Sequence, residues 1–301
     1  MSPLDSSQFG CFSEGRAPGT VGAAMEKIDR RLARAGIGGP RMEARLLIGE
    51  VLGAGPAHVL AHLESELSPD QGARLDAMAE RRAGREPLAR ILGRREFWSL
   101  SFTVTADTLI PRPDSETVVE AALDWAKGLA QPPSILDLGT GGGCLLLALL
   151  DQLPAARGLG LDIDPSALNV ARANARRLGI EDRARFVAGD WGAAIGRSFE
   201  LVVVNPPYIA DKDFPDLAPE VAAYEPRLAL AGGADGMDCY RRLAPQFASL
   251  VSPGGALFVE IGAGQASAVS GMLSANNLQV FDIKRDLAGI PRCLAASPAV
   301  R

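Results

Sequence analysis

After Pro132 and Pro133 the chain settles into a pattern that few folds accommodate. Short apolar runs alternate with longer segments of helical period. The spacing predicts strands over 135–138, 159–162, 185–188, 201–204 and 256–261, with helices over 144–153 and 166–178. Runs such as Leu201-Val202-Val203-Val204 are apolar throughout, which implies a sheet covered on both faces. The expected fold class is therefore α/β, a mostly parallel sheet between layers of helices. Segments 279–283 and 291–296 suit a terminal antiparallel pair.

The first part of the chain reads differently. Residues 1–20 are rich in Ser, Gly and Pro without periodicity, which suits a mobile tail. Residues 21–93 are expected to form a small helical domain. Met25, Ile28 and Leu32 make one apolar face among Lys27, Arg30 and Arg31, and further helices fit 42–52, 57–62 and 71–83. Over 94–114 the period changes. Phe97, Leu100, Phe102 and Val104 largely alternate with polar residues, as in a hairpin linker. Ile110-Pro111-Arg112-Pro113 then restarts the chain at a helix over 115–129 with Ser115 as its cap, and 115–301 forms the second domain.

Composition narrows the function. The 301 residues carry 31 Lys and Arg against 36 Asp and Glu, a net charge of -5, which weighs against a chain built to coat nucleic acid. No apolar run reaches the ~18 residues of a membrane helix, and the first twenty residues lack an apolar signal core. Cys11, Cys144, Cys239 and Cys293 show no C-x-x-C spacing, so free thiols, no metal site and a cytoplasmic location are expected. The only histidines, His58 and His62, lie in the helical domain and supply too few ligands for zinc.

Four motifs carry chemistry. Asp137-Leu138 leads into Gly139-Thr140-Gly141-Gly142-Gly143, where a strand turns into a helix and the backbone can approach a ligand closely. The dinucleotide fingerprint fits imperfectly, because Cys144 occupies the place of its third glycine. Asp137 disfavours a pyrophosphate neighbour and suits an ammonium or sulfonium. Asp162 ends the next strand, where an acid accepts ribose hydroxyls, while Asp164-Pro165-Ser166 reads as a helix cap. Asp190 and Trp191 follow the third strand and suit an adenine, one by hydrogen bonding and one by stacking. These three features together favour S-adenosylmethionine (AdoMet) over NAD.

Asn205-Pro206-Pro207-Tyr208 follows the fourth strand. Each residue before a proline is driven out of the helical region, and each proline has fixed φ, so the loop is rigid. A planar NH2 group has two donors. The Asn205 side-chain oxygen and the Pro206 carbonyl suit one each, with Tyr208 stacking on the flat group. Asn205, Pro206 and Tyr208 are thus the candidate catalytic residues, with Pro207 completing the substrate loop and Asn205 also bordering the cofactor.

The chain resembles the PrmC (HemK) family of peptide chain release factor glutamine methyltransferases over roughly 24–296. Beyond the two site motifs, the likeness lies in Arg85-Glu86-Pro87-Leu88, Ile91-Leu92-Gly93, Glu96-Phe97 and Leu109-Ile110-Pro111-Arg112-Pro113-Asp114-Ser115-Glu116. It continues in Tyr224-Glu225-Pro226-Arg227-Leu228-Ala229-Leu230, Gly232-Gly233, Asp235-Gly236, Glu260-Ile261-Gly262 with Gln265, and Asp286-Leu287-Ala288-Gly289-Ile290-Pro291-Arg292. Ser115 stands where threonine is usual in the family. The resemblance implies a Rossmann-like AdoMet-dependent methyltransferase domain, a helical domain for partner recognition, and methylation of the glutamine amide in a Gly-Gly-Gln motif. Two other readings share the nitrogen-binding loop: a glutamine methyltransferase of a ribosomal protein, and an adenine-amino methyltransferase on nucleic acid. An NAD-dependent dehydrogenase is disfavoured by Asp137 and Cys144 and by the lack of histidine in the sheet domain.

Overall fold

The computed structural model describes residues 17 and 19–299. The chain divides into two compact units, one ending at Leu92 and the other beginning at Gly93. Most of the segment expected to be a mobile tail lies outside the described residues. Thr20 does not belong to such a tail, because it caps the first helix and bridges to Glu66.

Five helices form the first unit among the described residues: α1 (Val21–Arg34), α2 (Pro40–Leu52), α3 (Pro56–Ala61), α4 (Pro69–Ala83) and α5 (Leu88–Leu92). Met25, Ile28 and Leu32 of α1 are buried against Leu47 and Ile48 of α2, Val59 of α3 and Leu75 of α4. Proline opens α2, α3 and α4, where its missing N–H costs nothing. Each of these helices therefore starts one or two residues before the position expected from apolar spacing. In α4 the start is fixed by a reciprocal cap, in which Ser68 accepts from the Gln71 amide and Gln71 accepts from the Ser68 amide. The five-residue α5 is too short to leave a periodic signal.

The second unit opens with a hairpin, β1 (Arg94–Phe97) and β2 (Leu100–Thr103). Its two-residue turn, Trp98 and Ser99, is left-handed at both positions, matching the twist of paired strands. Phe97 and Phe102 enter the core of this unit. A 3-10 turn (Pro113–Ser115) leads into α6 (Glu116–Ala126), followed by β3 (Ser134–Leu138), α7 (Cys144–Gln152), β4 (Arg157–Asp162), α8 (Pro165–Arg177), β5 (Ala184–Ala188) and β6 (Phe199–Val204). Then come α9 (Pro219–Tyr224), α10 (Asp238–Leu250), β7 (Val251–Glu260), α11 (Ala266–Ala275), β8 (Leu278–Arg285) and β9 (Pro291–Pro298).

The large sheet has the order β5-β4-β3-β6-β7-β9-β8 and is parallel except for β9. Residues from α6, α7 and α8 cover one face, and residues from α10 and α11 the other. Successive residues of β6 serve opposite cores, Leu201 and Val203 on one side and Val202 and Val204 on the other, which is why the run is apolar throughout. From β3 the chain moves outward through β4 and β5, then returns to β6 on the other side of β3. Such a switch opens a crevice at the carboxyl ends of β3 and β6.

Ser115 does not cap α6 with its side chain. It sits in the preceding turn, and its hydroxyl is engaged elsewhere. Asn174 of α8 is fully buried and plays a part that no local pattern announces. It accepts from the Thr103 amide at 2.8 Å and donates to the Gly142 carbonyl at 2.9 Å and the Thr103 carbonyl at 3.2 Å. It thereby ties the hairpin to the glycine turn. Replacing Asn174 by Ala strands three backbone groups and is expected to cost about 3 kcal/mol, read as a lower urea midpoint.

Candidate functional site

The residues singled out in the sequence converge on one edge of the sheet. Asp137 and residues 139–143 stand at the end of β3, Asp162 at the end of β4, Asp190 and Trp191 after β5, and residues 205–208 after β6. All four strands are parallel neighbours, so these carboxyl ends share one rim.

The glycine turn is left-handed at Gly139, Gly141 and Gly143. Its amides are mostly spent inside the protein. Gly139 and Thr140 donate to the Leu161 carbonyl at 2.8 and 2.9 Å, and Gly141 donates to Asp162 Oδ2 at 2.8 Å. The glycines thus supply close approach rather than a row of free donors. A Cβ at Gly139 would stand 3.2 Å from the ring of Trp191, which lies over the turn. Trp191 is itself left-handed and packs on the β6 and α10 side of the core.

Asp162 holds the rim together, because its other oxygen accepts from the Asp164 amide at 2.9 Å. Asp164 caps α8 through the Ser166 amide, as its motif suggests. Asp190 pairs with Arg242 of α10 at 2.6 Å, a partner that nothing local in the sequence announces. Both side chains are more than half exposed, so this pair is weakly held.

Asp137 differs from these. It is 1 % exposed; Oδ2 accepts from the Thr140 hydroxyl at 2.6 Å, and Oδ1 is buried with no partner among the described residues. Burial pushes its pKa up to about 7, against the opposing pull of the Thr140 hydrogen bond. A buried carboxylate with an empty acceptor favours a cation beside it.

The Asn205 carboxamide is oriented by a residue 90 positions away: Nδ2 donates to Ser115 Oγ at 3.1 Å. That leaves Oδ1 as its acceptor. Among the described residues neither Oδ1 nor the Pro206 carbonyl takes a hydrogen bond. Tyr208 is fixed at both ends. Its hydroxyl donates to Glu260 Oε1 at 3.3 Å, and its carbonyl accepts from Gln265 Nε2 at 3.1 Å. Gln265 also accepts from the Gly262 amide and the Tyr240 hydroxyl. Three glycines close around this segment. A Cβ at Gly232 would lie 2.8 Å from Tyr208 Cα, one at Gly236 would lie 2.4 Å from its carbonyl oxygen, and one at Gly262 would lie 3.0 Å from its ring.

Further charges surround the loop. Glu225, 8 % exposed, receives the Ile110 amide at 3.3 Å and the Arg112 guanidinium. Arg292 pairs with Asp286 at 2.9 Å and Asp114 at 3.2 Å. Local spacing suggests no role for Ser115 beyond a cap, and none for Glu260, Gln265 or Arg242. Apart from the Gly262 amide held by Gln265, their partners lie far along the chain, so short-range spacing carries little trace of them. Three of the four cysteines, Cys144, Cys239 and Cys293, are free thiols, and Cys11 lies outside the described residues. Among the described residues no cluster of His, Cys, Asp or Glu is placed to hold a metal, and no helix is long and apolar enough to cross a membrane.

The chain is similar to known proteins over most of its length. Residues 23–93 match the family described as PrmC N-terminal domain, and residues 125–227 match the methyltransferase small domain. A release factor glutamine methyltransferase of Rhodospirillum rubrum is 50% identical over 92% of this chain and 84% of its own length. One from Bradyrhizobium diazoefficiens is 45% identical over 92% of this chain and 94% of its own. Among solved structures, the hMettl16 catalytic domain in complex with MAT2A 3'UTR hairpin 6 superposes with a TM-score of 0.53 at 15% identity, covering 76% of this chain and 82% of that one. At that identity the likeness concerns the fold.

The ionisation of Asp137 has a consequence for stability. The unfolded chain releases this proton near the ordinary value of 3.8, the folded chain only near 7. Between those values the unfolded state binds fewer protons, so the group's contribution to stability is lost as pH rises through the window. Asp137→Asn removes the titration. Its stability relative to the parent is expected to grow from about pH 4 to pH 7 and then level off, by at most about 4 kcal/mol. Thermal melting of the ligand-free proteins across that range measures it.

Proposed function

Because the chain belongs to the family of release factor glutamine methyltransferases, we propose that it methylates the side-chain amide nitrogen of the glutamine in the Gly-Gly-Gln motif of peptide chain release factors, using AdoMet, in the cytoplasm. The observation that carries this reading is the Asn205 carboxamide. Its NH2 is committed to Ser115, and its oxygen and the Pro206 carbonyl are left as acceptors on a proline-stiffened loop. Two fixed acceptors suit a planar NH2 with two hydrogens.

The residues around the crevice fit AdoMet. The unpartnered Asp137 Oδ1 suits the cofactor's positive groups, and Asp162 retains lone pairs for ribose hydroxyls beyond the two amides it holds. Residues 139–143 let the cofactor come close to the backbone. Trp191 offers a flat face, and Asp190 is available for an adenine once its exposed pair with Arg242 opens. Asn205 borders both ligands. When bound, AdoMet supplies an electrophilic methyl group on a sulfonium.

What the protein contributes is orientation and electrostatics. An amide nitrogen is a weak nucleophile, because its lone pair is delocalised into the carbonyl. Asn205 Oδ1 and the Pro206 carbonyl hold both hydrogens and favour the positive charge that grows on nitrogen. The rigid loop keeps the nitrogen from rotating out of line, which removes much of the entropic part of the barrier. Tyr208, pinned by Glu260 and Gln265, provides a wall against which the flat amide stacks. The alkylated amide is strongly acidic and needs no dedicated base. The helical unit is assigned to recognition of the release factor.

Mass spectrometry of release factors incubated with enzyme and AdoMet is expected to show one added methyl on that glutamine. Tritiated methyl transfer to ribosomal protein or nucleic acid should stay at background, and transfer there instead would redirect the assignment. Asn205→Ala should slow transfer by about 100-fold or more, while AdoMet affinity by calorimetry changes only slightly. Asp137→Asn should weaken AdoMet binding. Binding to the parent enzyme should also weaken as pH falls below about 7, because Asp137 then takes up a proton.

A further inference from the structure

Two groups beside the nitrogen-binding loop each lack what the other has. Glu260, at the end of β7, is 1 % exposed. Its Oε1 accepts from the Tyr208 hydroxyl, and its Oε2 is buried with no donor among the described residues. Ser115 is 2 % exposed, and its Oγ accepts from Asn205 Nδ2 at 3.1 Å. The hydroxyl hydrogen of Ser115 has no acceptor among the hydrogen bonds of the described residues. The two groups are neighbours: the Ser115 hydroxyl lies close enough to the Glu260 carboxyl to favour its ionised form. The parallel pairing of Val204 with Val259 places Asn205 and Glu260 at the next step of adjacent strands.

We infer that Glu260 sets the polarity of the substrate site, its carboxylate taking the Ser115 hydrogen and so committing Asn205 to present its oxygen to the substrate amide. This rests on the reading of Asn205 given above. The logic is one of donors and acceptors. A serine hydroxyl has one hydrogen. If that hydrogen is held by a carboxylate, Ser115 meets Asn205 only as an acceptor. Asn205 must then turn its NH2 inward and its oxygen outward, toward the two hydrogens of the substrate.

If Glu260 is protonated, the chain can run backwards. The carboxylic acid donates to Ser115, Ser115 donates to Asn205 Oδ1, and the carboxamide turns its NH2 outward. Donor then faces donor, and the substrate amide is repelled. Glu260 is thus a positioning residue that acts through Ser115, and it steadies Tyr208 through its other oxygen.

The site is placed to titrate near neutrality. Burial pushes the Glu260 carboxyl up to about 7, the Ser115 and Tyr208 hydroxyls and the Arg292 guanidinium pull it down, and the Asp114 carboxylate pushes it up. Tyr240, Cys144 and Cys293 also feel its charge, and all three are held above their ordinary values chiefly by burial, hence neutral. The competent state is the ionised one, so methyl transfer falls as pH drops through about 7.

The test compares the full-length parent with Glu260→Gln, Ser115→Ala and Ser115→Thr, using mass spectrometric rates of release factor methylation from about pH 6 to 9, a range that brackets the titration, with AdoMet saturating at every pH so that the Asp137 titration in cofactor binding does not enter the rate. Glutamine offers one oxygen to two donors and adds donors of its own. Glu260→Gln should lower kcat by at least about tenfold with the KM for AdoMet nearly unchanged, and should abolish the acid limb near pH 7. Ser115→Ala should behave alike, Ser115→Thr should restore the rate by restoring the hydroxyl, and the double variant Ser115→Ala with Glu260→Gln should be no slower than Ser115→Ala alone. Glu260→Gln with a rate within about threefold of the parent and the parent's acid limb would overturn the inference. Should Glu260→Gln not fold, Ser115→Ala alone decides, and a parental rate there overturns it equally. A parent enzyme that leaves release factors unmethylated defeats the functional reading first, a different result from an active parent with an indifferent Glu260→Gln.

Discussion

What the rim of the sheet presents at Asn205 depends on one hydrogen bond, Asn205 Nδ2 to Ser115 Oγ. A carboxamide is nearly symmetric in shape but opposite in polarity at its two ends, so a loop that positions Asn205 does not by itself decide what Asn205 offers. Prolines 206 and 207 fix where the side chain starts. Ser115 decides which end faces outward. The serine can do so only because it is buried in the turn before α6, where water cannot compete for its lone pairs. The sheet brings that turn and the end of β6 together although the two residues are separated by 90 positions in the chain.

A second constraint is backbone crowding around Tyr208. Gly232, Gly236 and Gly262 each occupy a position where a Cβ would stand 3.0 Å or less from an atom of Tyr208. At Gly236 the conformation is left-handed as well. Gln265 spans the same gap, donating to the Tyr208 and Gly236 carbonyls and accepting from Gly262 and Tyr240. Joined to both segments, this side chain acts as a rivet between the loop after β6 and the loop after β7. Local stiffness from the prolines is thereby extended into three dimensions, which catalysis by orientation requires.

This division explains what the sequence discloses. The order of strands and helices from Ile135 onward is legible because both-face burial writes itself into runs such as Leu201 to Val204. The stiffness of the loop over 205–208 is legible because proline acts on its immediate neighbours. Asp164 is legible as a cap because its partner, Ser166, is two residues away. Ser115 looks like a cap by the same local rule, and the rule fails because a partner from the end of β6 claims its hydroxyl. Glu260, Gln265, Arg242 and Asn174 share that character. Each meets its partner across the fold, and nothing in the flanking residues distinguishes such a side chain from a surface one. Helix starts slip for a simpler reason, since proline at the first turn extends α2, α3 and α4 beyond their apolar stripes.

Two buried carboxyls, Asp137 and Glu260, flank the strand that carries Asn205, on β3 and β7 respectively. Both are raised toward 7 by burial, and each keeps one oxygen without a partner among the described residues. A sheet optimised only for stability would have apolar residues at both positions, as at the neighbouring Leu136, Leu138, Val259 and Ile261. Their ionisation above neutrality works against folding, and the cost is tolerable because the apolar cores on both faces of the sheet hold the strand ends in place. The two charges act on different partners. Asp137 has an empty acceptor suited to a cation, whereas Glu260 holds the Tyr208 hydroxyl and, on the inference above, takes the Ser115 hydrogen and so relays its polarity to an amide. A cationic methyl donor and a neutral NH2 acceptor need opposite things from their surroundings, attraction for the one and fixed orientation for the other. On the function proposed above, placing one carboxyl on either side of β6 lets a single strand end serve both.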